Sequence, residues 1–176
     1  LGLQQKELIL LNEHNEKESS SIIAEELLLG KQYALISDCG TPVFADPGTE
    51  LISICYQKSI PVIPIPGPSS LMAAISLSPI SMEEFYFAGF LSVKKELRHQ
   101  KLLSFRRMKV PIILMDAPYR LSRLLSDVYD TLGKSRIATI GFDLTLPTEI
   151  IIHGTIEQIQ NNMNGKKGEF ILILYP

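Results

Sequence analysis

Two small α/β units, the first with a mainly parallel sheet and the second with a mixed one, are what this chain predicts. Three observations predict it. Apolar residues recur at every second position in some stretches and at helical spacing in others, and the two rhythms alternate. Loops rich in Gly, Pro, Ser and Asp separate them. At 176 residues, 45% apolar and 20% charged, the chain can bury a core without disulfide or metal staples. Strands alternating with helices imply parallel pairing in the first half, whereas consecutive strands in the second imply a mixed sheet. The boundary is expected near residues 78–84, giving units 1–80 and 81–176.

In order along the chain, residues 7–11 read as a short strand and 12–18 as a polar turn. The serines at 19–21 can cap a helix whose apolar positions are Ile22, Ile23, Leu27 and Leu28, with Gly30 closing it. Residues 33–37 read as a buried strand. Thr49 caps a second helix with Leu51, Ile52 and Cys55 on its inner face. Residues 61–65 read as a strand ending in Pro66-Gly67-Pro68, and Ser69 or Ser70 opens a third helix. Beyond the boundary, 85–90 is strand-like, 94–107 helical and basic, and 110–115 a buried strand. Residues 122–132 form a helix with Leu124, Leu125 and Val128 inward. Strands over 136–142 and 149–153 follow, then a short helix over 155–163 and a last strand over 169–174.

Several function classes are excluded or disfavoured. Cys39 and Cys55 make neither a disulfide framework nor a zinc site, and a reduced, cytoplasmic setting is expected. His14, His99 and His153 lie far apart, so no metal is expected. Residues 59–82 carry no charge, yet five prolines interrupt them, so no membrane-spanning helix is expected. No basic segment followed by an apolar one opens the chain, so secretion is not indicated; Leu1 in place of Met leaves the natural start open. No G-x-G occurs, which removes the dinucleotide fingerprint. Gly133-Lys134-Ser135 resembles the end of a phosphate loop, but Val128 stands where its first glycine belongs, and a helix cap suffices to explain Gly133.

The informative segment is Ser37-Asp38-Cys39-Gly40-Thr41-Pro42-Val43-Phe44-Ala45-Asp46-Pro47-Gly48. It follows an expected strand and precedes a helix, the rim where open α/β folds bind ligands. It contains no Lys or Arg, so it suits a polar ligand held by backbone groups better than a phosphate. A tight connection with Asp38 and Asp46 in turn hydrogen bonds explains the composition equally well.

Together with Pro66-Gly67-Pro68-Ser69-Ser70, this segment resembles the paired signature of the tetrapyrrole methylase superfamily. Within it, the chain is similar to the small-subunit ribosomal RNA cytidine 2′-O-methyltransferases. Gly89-Phe90-Leu91 with Lys94-Lys95, Asp116-Ala117-Pro118-Tyr119-Arg120, Asp143-Leu144-Thr145, Gly154-Thr155 and Gly168-Glu169-Phe170 fall in that branch's order. The resemblance implies two α/β domains binding S-adenosylmethionine in the cleft between them, usually as a homodimer. It also implies that Gly40, Thr41, Pro42, Val43, Phe44 and Ala45 line the cofactor. Ser69, Ser70, Leu71, Met115, Asp116, Phe142, Asp143, Gly154 and Thr155 complete the implied pocket. The branch's opening strand and Gly/Pro-rich loop have no match here; either they lie upstream of Leu1 or they are lost. Where the branch has Arg-Glu-Leu-Thr-Lys, this chain has Phe142-Asp143-Leu144-Thr145-Leu146, and where it has Glu-Ser-Pro-His-Arg, this chain has Asp116-Ala117-Pro118-Tyr119-Arg120.

Methyl transfer from a sulfonium needs collinear placement of nucleophile, methyl and sulfur, and a ribose hydroxyl benefits from a base in reach. Asp116 and Asp143, each at an expected strand end, are the candidate catalytic carboxylates; the competing reading pairs them with Arg120 or with their own loops. Between Lys94 and Lys109 stand seven Lys or Arg and one acid, while the rest of the chain carries a net −8. Lys94, Lys95, Arg98 and Lys101 are the candidate ribosomal RNA contacts, since neutralised phosphates drive such binding; a solvated helix face, or one that meets the acidic surface of a dimer partner, is the alternative. Methyl transfer to a ribose 2′-hydroxyl of small-subunit ribosomal RNA is the first expectation. A tetrapyrrole carbon methylase and a degenerate, non-catalytic relative are the alternatives.

Overall fold

The computed structural model describes residues 7–38 and 40–176; Cys39, part of the signature loop, lies outside the described residues. Two compact units divide the chain, Leu1–Ser69 and Ser70–Pro176.

The second unit is built on a five-stranded mixed sheet of β1 (Tyr86–Phe90), β2 (Ile112–Asp116), β3 (Ile137–Phe142), β4 (Ile150–Thr155) and β5 (Phe170–Leu174), in the order β1-β2-β5-β3-β4. β1 and β2 run parallel, and every other pairing is antiparallel. Alternation along the strands sends side chains to two faces. Ile112, Leu114, Ile140, Leu172 and Leu174 face one side, where helices α4 (Lys95–Phe105), α5 (Leu121–Leu132) and α6 (Ile156–Met163) bury them with Leu102, Phe105, Val128 and Ile159. On the opposite face Ile113, Ile171, Ile173 and Tyr175 pack with Leu71 and Ala74 of α3 (Ser70–Ser76). The sequence reading counts α3 with the first half; its apolar side packs onto β5 in the second unit.

The first unit holds α1 (Glu16–Leu28) and α2 (Thr49–Gln57), joined by a small core of Ile23, Leu51 and Cys55. The first helix starts earlier than the serines at 19–21 imply, at Glu16, because an Asn12–Asn15 turn precedes it: Asn12 N donates to Asn15 Oδ1 at 2.7 Å. Of its expected inner positions, Ile23 is buried and Ile22 is 56% exposed. The second helix is capped by a neighbour. Glu16 Oε1 accepts from Gly48 N at 2.7 Å and Glu50 N at 3.1 Å, placing a carboxylate on the positive end of α2.

The parallel sheet expected in this unit is not formed among the described residues. Segments 7–11, 31–37 and 60–65 run outside any helix or ladder, and Ile36, Ile63 and Ile65 are 66%, 81% and 85% exposed. An apolar run becomes a strand only when a neighbouring strand supplies the ladder partners, and none of these segments has one here. The α/β class and the mixed second sheet stand as expected.

Candidate functional site

In the first unit, two turns meet. Thr41 Oγ1 donates to the carbonyl of Pro68 at 3.0 Å, joining the signature loop to the Pro66-Gly67-Pro68 turn across 27 residues of chain. Gly40 sits on the same contact, for a Cβ there would lie 3.5 Å from Pro68 O. The loop holds left-handed backbone at Gly40, Val43 and Ala45, with φ of 81°, 71° and 60°. For β-branched Val43 this conformation is costly, and such strain clusters at ligand-binding turns. It is locked from below: a Cβ on Gly48 would meet Leu35 Cδ2 at 2.9 Å and Val43 Cγ2 at 3.0 Å, so only glycine lets Val43 tuck in. Ser37 Oγ donates to Asp46 Oδ2 at 2.6 Å, so Asp46 serves the turn, as the simpler sequence reading has it. Thr41, Phe44 and Ala45 are exposed.

In the second unit, strand register decides which expected residues assemble. Asp116 and Phe142 both pair with Phe170 of β5, so the ends of β2 and β3 share one rim of the sheet. Met115 lies beside them on β2, half-buried on the α3 face with Leu71. Gly154 and Thr155 do not join this group. They pair with Ala138 and Ile137 at the opposite end of β3, about 13 and 17 Å along the strand from Ile150, which pairs with Phe142. Thr155 is instead a helix cap: its Oγ1 accepts from Gln158 N at 3.2 Å, and Gln158 Oε1 accepts from Thr155 N at 2.9 Å. Sequence order alone hides this, because an antiparallel return carries the end of β4 away from the end of β3.

The two candidate carboxylates sit in different environments. The Asp116 side chain is 1% exposed; its Oδ1 lies 3.0 Å from Arg120 Nη1 and accepts from Ala117 N at 2.8 Å. Its Oδ2 is buried with no hydrogen-bond partner among the described residues. Burial raises its pKa above the usual carboxylate range, with Ala117 N, Arg120 and Arg98 opposing the shift. Asp143 turns the chain between β3 and β4 at φ 46°. Its Oδ2 accepts from Thr148 Oγ1 at 2.8 Å, and its N–H donates to Glu169 O at 2.7 Å. It borders an open hollow of about 480 Å³ that Phe142, Glu149, Lys166 and Lys167 also line.

The basic stripe is corrected. Leu102 and Phe105 fix the inner face of α4, and Arg98 and Lys101, each four residues earlier, fall on that same face. Arg98 is 1% exposed; its Nε donates to Asp127 Oδ2 at 2.5 Å and its Nη1 to the carbonyls of Ser92 and Val93 at 2.8 and 3.0 Å. Lys101 Nζ donates to Tyr86 OH at 2.7 Å and sits 4.9 Å from that ring's centroid. Arg98 is therefore no phosphate contact, and Lys101 is half-buried against Tyr86. Lys94 and Lys95 remain exposed. Sequence reasoning also missed Asp127, Lys166 and Lys167; helical-face counting from Leu102 would have found the buried Arg98.

Among the described residues no group of three or more His, Cys, Asp or Glu could hold a metal ion, and no helix is long and apolar enough to cross a membrane.

The family model described as Tetrapyrrole (Corrin/Porphyrin) Methylases matches residues 5–160. A protein of Vibrio cholerae named Ribosomal RNA small subunit methyltransferase I is 35% identical over 169 residues, covering 94% of this chain and 59% of that protein. One of the same name from Synechocystis is 38% identical over 168 residues, covering 94% and 60%. The chain thus spans about three fifths of the length of these relatives. A diphthine synthase structure aligns at TM-score 0.68 with 15% identity, covering 94% of this chain and 68% of the other. Uroporphyrin-III C-methyl transferase from Thermus thermophilus, complexed with S-adenyl homocysteine, aligns at 0.57 with 18% identity, covering 91% and 73%. At these identities the structural likeness shows the fold alone.

Proposed function

Because this chain belongs to the tetrapyrrole (corrin/porphyrin) methylase family, we propose that it is an S-adenosylmethionine-dependent methyltransferase acting on a ribose 2′-hydroxyl of small-subunit ribosomal RNA. The observation that carries the proposal is its 35–38% identity to proteins named for ribosomal RNA methylation, over 94% of its own length.

The chemistry of the residues present fits such a cofactor. A nucleoside with hydroxyls and an amino acid group asks for backbone partners and hydrogen-bond acceptors rather than for phosphate-binding cations. Loop 40–45 offers an exposed, stiffened backbone without Lys or Arg, and Asp116 holds an unpartnered acceptor oxygen. When bound, S-adenosylmethionine supplies an electrophilic methyl group on a sulfonium. The residues we assign to it are Gly40 to Ala45 with Ser69 in the first unit. In the second unit they are Ser70, Leu71, Met115, Asp116, Phe142 and Asp143. Thr41 braces its loop against Pro68. Asp116 and Asp143 are the candidate bases: burial raises the pKa of Asp116, and Asp143 borders the open hollow while ordering its turn. Lys94 and Lys95 are the RNA contacts. Homodimerisation and a cytoplasmic location belong to the same reading, and sedimentation tests the first.

The decisive test gives the full-length gene product labelled cofactor and purified, under-methylated 30S subunits. Label in a ribose of the ribosomal RNA is expected. Label in uroporphyrinogen instead would make the protein a tetrapyrrole methylase, and calorimetric cofactor binding without transfer to either would make it a non-catalytic relative.

A further inference from the structure

The loop joining β1 to α4 is fastened by two arginines that come from different elements. Arg98 on α4 grips the carbonyls of Ser92 and Val93. Arg120, at the end of the short 3₁₀ turn Pro118–Arg120, donates from Nη2 to the carbonyls of Leu91 at 3.0 Å and Ser92 at 3.3 Å. The other ends of both guanidinium groups are anchored in turn, Arg98 on Asp127 and Arg120 on Asp116. Ser92 Oγ also accepts from Lys94 N at 3.2 Å. Three consecutive carbonyls are thus held by two planar donors, something the point charge of lysine cannot reproduce. Strand β1 feeds this loop through a bulge: its register with β2 shifts between Phe87 and Gly89, and Gly89 has φ 60°. The residues that emerge from the clamp are Lys94, which ends the pinned loop, and Lys95, which opens α4, both exposed.

We propose that Arg98 and Arg120 are positioning residues that preorganise the β1–α4 loop, so that Lys94 and Lys95 meet RNA phosphates as a fixed pair. Through Arg120 the same loop is tied to Asp116 at the end of β2. The proposal rests on the RNA reading above and adds to it how the basic pair is held. Its physical basis is entropic: a loop already ordered loses less freedom on binding. Arg98 thereby acts on RNA without touching it.

The experiment is a double-mutant cycle on the full-length protein between Arg120→Lys and the pair Lys94→Ala/Lys95→Ala. It reads KM for 30S subunits, KM for cofactor and kcat separately. Each arm alone is expected to raise KM for 30S by roughly tenfold, about the worth of one charged hydrogen-bond set. The lysine pair should also flatten the salt dependence of 30S binding by about two phosphates' worth. Combined, the two changes should cost no more than the lysine pair alone, because a clamp with nothing to present has no effect on RNA. KM for cofactor should stay put in the lysine pair and in Asp127→Asn, neither of which touches Asp116. Additive losses would reduce the arginines to fold stabilisers and overturn the proposal, as would a lysine pair without effect on 30S binding. Should Arg120→Lys fail to fold, Asp127→Asn loosens Arg98 from the other end and completes the same cycle. A wild-type protein that transfers no methyl, yet shows the coupling in 30S binding, removes the functional reading and leaves the clamp standing.

Discussion

Asp116 and Asp143 stand at the ends of strands that flank β5 on either side, yet one carboxylate is sealed and the other borders open space. At the end of β2 the chain enters a 3₁₀ turn, which brings Arg120 back over the carboxylate and closes it off. At the end of β3 the chain reverses through a seven-residue turn tied by its own side chains: Thr148 Oγ1 donates to Asp143, and Thr145 N donates to Glu149 Oε2 at 2.6 Å. The lesson is that position in a strand does not set a carboxylate's chemistry. What the following turn folds back onto it does.

The comparison breaks most visibly if Arg120 is removed. Arg120→Met leaves Asp116 as an uncompensated buried charge and should cost about 3–5 kcal/mol at neutral pH, read by urea denaturation. A loss no larger than that of an exposed substitution would mean the β2 end is open like the β3 end. Next in size is Gly168→Ala. A Cβ at 168 would intrude on Asp143 Oδ1 and Phe142 Cζ, so about 1–3 kcal/mol of stability should go, with the disturbance confined in hydrogen exchange to the β3–β4 turn and the start of β5.

Asp116→Asn sharpens the contrast through pH. Because the folded pKa of Asp116 is raised, the folded state holds its proton more tightly than the unfolded chain does. Its contribution is therefore fully present below the unfolded carboxylate value and is lost as pH rises through the raised folded value. Relative to Asp116→Asn, the wild type should lose stability across that window and run parallel above it; a constant difference from acid to neutral pH would contradict the raised pKa. The smallest effect belongs to Thr148→Val, which deletes one hydrogen bond to an accessible Asp143 and should cost about 0.5–1.5 kcal/mol in thermal denaturation.

Much of the fold was legible beforehand because it is local. The helices over 49–57, 121–132 and 156–163 carry their own apolar spacing and stops, and the five strands of the second unit show as short apolar runs between turn signals. Residues 33–37 and 61–65 carry the same signal and no ladder, since a strand is completed by its neighbours. The signature loop was recognisable as a motif, but the Thr41–Pro68 bond spans 27 residues and the strain at Val43 follows from packing under Gly48.

The sequence by itself determined the α/β alternation, the family and the residue types available at each turn, because periodicity, Gly/Pro punctuation and motif order are properties of neighbours in the chain. Only the tertiary structure decided that Arg98 and Lys101 face inward, that Gly154 and Thr155 end up at the far side of the sheet from Phe142, and that Arg120 joins Asp116 to Ser92. Each of these depends on which surfaces are removed from water when distant segments pack, and the order of residues does not record that.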